Sequence, residues 1–224
     1  MSERERPEII AGPAGAIEVC RQLPPETAAG RELVAVIAHP HPLYGGTMDN
    51  KVVTTLARMY LGLGAAAVRF NFRGAGGSAG GHDQGRGEVD DLLAVARWAL
   101  ARHPGAELLL AGYSFGSAVA AAASELLPAR HLALIAPPVD RYSFAPRGDF
   151  ACPTAIVLGG ADEVVDAGAV AAWAADRPAV AALILLPAAT HFFHGQLAAL
   201  ERELAPAVLA ALRGAADAGA GPVS

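Results

Sequence analysis

The chain has 224 residues, 53% of them hydrophobic and 17% charged, with a formal net charge of −5. That length and apolar content suit one folded domain with a sizeable core and exclude a disordered chain. Lys51 is the only lysine and the arginines are scattered, so no basic tract exists to hold nucleic acid.

The stretch 1–7 is charged and lacks the apolar segment of a signal peptide, and no run is apolar enough to span a bilayer. A cytoplasmic protein without membrane contact is expected. Cys20 and Cys152 lie far apart and form no C-x-x-C pair, so they read as incidental thiols rather than metal or redox ligands.

In chain order, residues 17–23 suggest an antiparallel edge strand, and Val34-Ala35-Val36-Ile37-Ala38 a buried one. The Pro-rich loop 39–46 follows. A helix is then expected over 49–61, with Val52, Val53, Leu56, Met59 and Tyr60 on its apolar side. Residues 66–72 form the next strand, and 73–87 a Gly-rich loop. A helix over 88–101 carries Val89, Leu92, Leu93, Val95 and Trp98. The strand 107–111 leads into a small-residue helix over 115–127, then the strand 132–136. A short Pro-containing link, 137–153, precedes the strand 155–158, a helix over 166–175, the strand 183–186 and a helix over 196–212. Continuous apolar strands alternating with helices predict an α/β fold with a mostly parallel sheet covered on both faces. A single domain over 1–224 is expected, with an ordered core over about 14–213 and an Ala/Gly-rich tail.

Gly112-Tyr113-Ser114-Phe115-Gly116 matches G-x-S-x-G between a strand and a helix. A nucleophilic serine needs a sharp strand-to-helix turn that leaves its Oγ exposed, and the flanking glycines let strand and helix approach. A tight βα turn without chemistry could carry the same five residues; the strand before and the helix after favour the nucleophile. The amide of Phe115 opens the helix and can donate to an oxyanion. A second donor is expected from His39-Pro40-His41-Pro42-Leu43-Tyr44-Gly45-Gly46. Pro40 and Pro42 have no N–H, which leaves His41 as the first choice and Tyr44 as the alternative.

In sheets of this kind the acid follows the serine and the histidine follows the acid. His191 sits in the loop after the strand 183–186, where a parallel sheet places its site, and is preferred over His194. Asp162 falls in the tight turn after 155–158. Glu163 should point away, and Asp166 resembles a helix N-cap. His39-x-His41 with Asp49 makes a poor metal set, so no metal is expected and these imidazoles read as structural. Phe72-Arg73-Gly74-x-Gly76 runs into a loop rather than a helix, against a dinucleotide site.

Together these residues resemble the α/β-hydrolase superfamily over about 17–212. The runs 39–51 and 70–78 resemble the markers of a small bacterial group of lid-poor serine hydrolases. The resemblance implies an α/β-hydrolase fold without a large cap domain, Ser114, Asp162 and His191 as a triad, no cofactor, and small acyl esters as substrates. A thioesterase, a peptidase or a non-catalytic interaction module of the same fold is the alternative. The short link 137–153 predicts an open pocket walled by Tyr44, Tyr142, Phe144, Phe192 and Phe193. Either a monomer or a homodimer is compatible with the sequence.

Overall fold

The computed structural model describes residues 7–25, 32–144 and 148–214. The tail after Gly214 lies outside the described residues.

Eight strands form one sheet in the order β1-β2-β4-β3-β5-β6-β7-β8. They are β1 (Glu8–Gly12), β2 (Gly15–Gln22), β3 (Leu33–Ala38), β4 (Ala66–Phe70), β5 (Glu107–Tyr113), β6 (Ala129–Ile135), β7 (Thr154–Gly159) and β8 (Val180–Leu186). Strands β3 to β8 are parallel, whereas β1 and β2 are antiparallel to their neighbours. The strand expected over 17–23 is therefore antiparallel, but it is not the edge. The five-residue β1 pairs outside it through a tight hairpin.

Helices α1 (Lys51–Gly62) and α5 (Leu197–Gly214) cover one face, and α2 (Arg86–Arg102), α3 (Phe115–Ser124) and α4 (Ala167–Ala175) cover the other. The alternation of β3 shows how one strand serves both. Val34 and Val36 join the core beneath α2 and α3, while Leu33, Ala35 and Ile37 join the core beneath α1 and α5. A strand buried on both faces has no use for a polar residue, and all six residues of β3 are buried.

The described part of the link between β6 and β7 contains neither helix nor strand, so no cap domain rises over the sheet. No helix among the described residues is long and apolar enough to cross a membrane. The parallel strands all end on one side, and the loops that follow β3, β5, β6, β7 and β8 converge there.

Candidate active site

Ser114 sits between β5 and α3 with φ 52° and ψ −119°, in the left-handed half of backbone space that side chains avoid. Its amide donates to the Ile135 carbonyl at 2.8 Å, fastening the turn to β6. The two glycines of the motif explain why the turn closes. A Cβ on Gly112 would collide with the Gly116 carbonyl, and one on Gly116 would press on the carbonyls of Ala38 and His39. The start of α3 is thus seated on the end of β3, which brings the loop after β3 beside the serine.

His191 Nε2 lies 3.1 Å from Ser114 Oγ, and its Nδ1 lies 2.9 Å from Asp162 Oδ2. The carboxylate can only accept, so Nδ1 carries the hydrogen and Nε2 turns its lone pair to the serine hydroxyl. Asp162 Oδ1 accepts the amides of Val164 and Val165, both at 2.8 Å. Burial alone would raise the Asp162 pKa, but the hydrogen bonds from His191, Val165 and Val164 outweigh it and hold the carboxyl below its usual value. The result is an ionised acid fixed against one edge of the imidazole.

The loops carrying Asp162 and His191 are stitched together. Gly160 donates to the Leu186 carbonyl at 2.9 Å and Ala161 to the Ala189 carbonyl at 3.0 Å. A side chain at Gly159 or Gly160 would strike the backbone of the histidine loop. Tyr113 Oη donates to the His191 carbonyl at 2.7 Å, and the His191 amide donates to Glu163 Oε2 at 3.2 Å. Glu163 therefore turns toward the histidine loop, not away from it. Sequence spacing gives no signal for this, because its partner lies 28 residues on. His194 is exposed and stacks on Phe192.

The loop after β3 is held by His39, which is fully buried. The Phe72 amide donates to its Nε2 at 3.0 Å, and its Nδ1 donates to the Pro40 carbonyl at 2.6 Å. Burial lowers its pKa to about 4, so the ring is a neutral brace. Asp49, the third member of the expected poor metal set, instead pairs with Arg69 at 2.8 Å. The amides of His41 and Phe115 border the cleft at Ser114 and meet no acceptor among the described residues. The Tyr44 amide is spent: it donates to the His41 carbonyl at 3.1 Å and closes a turn over Pro42–Tyr44. The Tyr44 amide is therefore not available to a bound group, whereas those of His41 and Phe115 are.

The cleft encloses about 340 Å³. Tyr44, Tyr142 and Phe192 line it, but Phe144 and Phe193 do not. Phe144 turns inward onto Trp173 of α4, with ring centroids 5.6 Å apart. Phe193 is fully buried and packs edge-on against Tyr113 on the α5 side of the sheet. Both lie in loops at the correct end of the sheet, yet apolar rings there can complete the core as readily as face solvent.

Behind the cleft lies a group that the sequence reading does not contain. The Glu88 carboxylate, with no exposed surface, accepts the amides of Asp83 and Gly85 at 2.8 Å and lies 2.8 Å from His82 Nδ1. The His82 ring packs at a tilt against that of His41, with centroids 4.6 Å apart, and also meets Phe115. Burial and the neighbouring His82 lower the pKa of His41. The adjoining Arg73 makes three hydrogen bonds to buried Asp91, two from its guanidinium and one from its amide. This accounts for the arginine in the Gly-rich stretch without a nucleotide.

Residues 44–141 match the family model described as the alpha/beta hydrolase fold. A lid-free α/β serine hydrolase from Xanthomonas campestris, XC6422, shares 39% identity and superposes with a TM-score of 0.86, covering 93% of this chain and 95% of that one. An α-β serine hydrolase homologue from Coxiella burnetii shares 40% identity with a TM-score of 0.83, over 92% and 97% of the two chains. The uncharacterized protein RP471 of Rickettsia prowazekii is 38% identical over 139 residues, a match that spans 60% of this chain and 58% of that protein.

Proposed function

The chain belongs to the α/β serine hydrolases, and on that premise we propose that it is a carboxylesterase acting on small acyl esters through Ser114, His191 and Asp162. The observation that carries the reading is the unbroken line from Asp162 Oδ2 through His191 to Ser114 Oγ, at a cleft that no cap domain covers.

His191 Nε2 takes the Ser114 proton as Oγ attacks the ester carbonyl. The charge that develops on the carbonyl oxygen is met by the amides of Phe115 and His41, which border the cleft and have no acceptor among the described residues. His191 is then an imidazolium paired with ionised Asp162, and it returns the proton to the leaving alcohol as the tetrahedral intermediate collapses to the acyl-enzyme. Water enters, gives its proton to the same nitrogen, and attacks the acyl carbon. Ser114 recovers its proton when the acid departs. Apart from the ester and this water, every group in these steps belongs to the chain.

The absence of a cap over the cleft favours short or exposed acyl groups over long lipids. A panel of 4-nitrophenyl esters, acyl-CoA thioesters and aminoacyl amides, each assayed with the wild type and Ser114→Ala, tests the reading. Turnover of short esters that is lost in the alanine variant is the expected result. Preferred turnover of the thioesters or amides would move the chain to a thioesterase or peptidase. No turnover of any class would leave it a binding module.

A further inference from the structure

The residues lining the cleft include no carboxylate among those described, and one guanidinium, that of Arg141. Arg141 comes from the link between β6 and β7, where its amide and that of Tyr142 both donate to the Pro138 carbonyl, at 3.1 and 3.2 Å. Its Nη2 donates to the Val164 carbonyl at 2.9 Å. Val164 belongs to the turn that Asp162 holds through its Oδ1. The guanidinium, about half exposed, thus bridges the link and the acid turn through one hydrogen bond and lines the cleft that contains Ser114.

A guanidinium presents five N–H donors, and the Val164 carbonyl occupies one. The nearest carboxylate, Asp140, lies 3.6 Å from Nε and is itself largely exposed, so solvent screens the pair. Beside Arg141, the Tyr142 ring packs edge-on against Phe115, 5.5 Å away, and lines the same cleft. Burial, only partly offset by Arg141, keeps its phenol protonated and able to donate. A planar fork tethered at one end and otherwise open to solvent, next to a phenol and among lining residues without acids, suits an incoming carboxylate.

We propose that the cleft selects acyl esters that carry a second, anionic group, such as half-esters of short dicarboxylic acids, with Arg141 binding the free carboxylate and Tyr142 adding a donor. This rests on the esterase reading above. Arg141 is a specificity residue: it meets the remote end of the substrate and takes no part in the bond exchange. The anionic end is held by contacts that persist through the reaction, so their loss should raise KM more than it lowers kcat.

The test compares a 4-nitrophenyl half-ester of glutaric acid with neutral 4-nitrophenyl butyrate. The ratio of their kcat/KM values is read in the wild type, Arg141→Gln, Arg141→Lys and Tyr142→Phe. The ratio should favour the half-ester in the wild type and fall about tenfold in Arg141→Gln, mainly through KM. Arg141→Lys, which keeps the charge without the fork, should retain part of it, and Tyr142→Phe should lose about threefold. A ratio that is unchanged in Arg141→Gln overturns the proposal, including the case where both substrates suffer equally. If the wild type cleaves neither ester, the esterase reading falls first. Arg141 is then tested alone by calorimetric binding of monomethyl glutarate to Ser114→Ala with and without Arg141→Gln. Equal affinity in the two would overturn the proposal, and Arg141-dependent binding would support it.

Discussion

On one side of Ser114, the loop from His39 to Asn50 is fastened by hydrogen bonds to buried polar groups. Besides His39 and Phe72, the Met48 amide donates to Asn71 Oδ1 and the Met48 carbonyl accepts from Arg69, both at 2.8 Å. Asn71 is in turn held by Glu18 at 2.6 Å. On the other side, the link between β6 and β7 rests mainly on Phe144 and Phe150 packed against Trp173, with two side-chain hydrogen bonds to neighbouring elements, from Arg141 to the Val164 carbonyl and from the Ala179 amide to Asp149. Hydrogen bonds are directional and fix which way an amide points; apolar packing fixes only where a segment lies. The first wall carries the His41 amide, which the proposed mechanism gives to the oxyanion, so its aim matters there. The second carries groups that select a substrate, a task that tolerates adjustment.

The largest expected effect falls between the walls and leaves both intact. Asp162→Asn should lower kcat for a short ester about 10³-fold or more, with KM within about threefold, because the imidazole loses the partner that sets its tautomer and steadies its cation. His39→Leu probes the first wall. It strands the Phe72 amide and loosens the loop, so urea unfolding should show a loss of about 1–3 kcal/mol, and kcat should drop about tenfold or more. Phe144→Ala probes the second wall. It should cost about 3 kcal/mol in the same unfolding experiment yet leave kcat within about threefold. Equal losses of kcat in these two variants would break the distinction between the walls.

A smaller effect concerns pH. Burial lowers the pKa values of His39 and His131 from 6.5 to about 4. The unfolded chain therefore binds protons that the folded one refuses, and each histidine should cost stability as pH falls from about 6.5 toward 4. The slope from each is at most about 1.4 kcal/mol per pH unit. His131 lies in β6 away from the cleft, and its buried Nδ1 has no hydrogen-bond partner among the described residues. His131→Leu should flatten the stability profile over that window relative to wild type and leave ester kinetics at neutral pH alone. A profile as steep as the wild type would show that His131 does not titrate as its burial implies.

The alternation of elements and the meeting of Ser114, Asp162 and His191 were legible because each depends on local pattern and chain order. A strand, a Gly-flanked turn and a small-residue helix put the serine where it is; two later strand ends supply the others. Side-chain direction was not legible. Phe144 and Phe193 stand in loops at the site end of the sheet, but the holes they fill are shaped by Trp173 and Tyr113, which come from distant elements. That Glu163 faces the histidine loop is not legible either, because a turn says nothing about a partner 28 residues on. The choice between the amides of His41 and Tyr44 hung on one hydrogen bond inside the Pro42–Tyr44 turn. The strand Glu8–Gly12 was missed because five residues carry too little periodicity to declare themselves.

Whether Ser114 is a nucleophile can be asked directly by covalent capture. A fluorophosphonate incubated with the folded wild-type chain, followed by intact-mass and peptide mass spectrometry, should give a single adduct on the peptide containing Ser114. Ser114→Ala should give none, and Asp162→Asn should label far more slowly. An unlabelled wild type, or an adduct on another residue that persists in Ser114→Ala, would contradict the account.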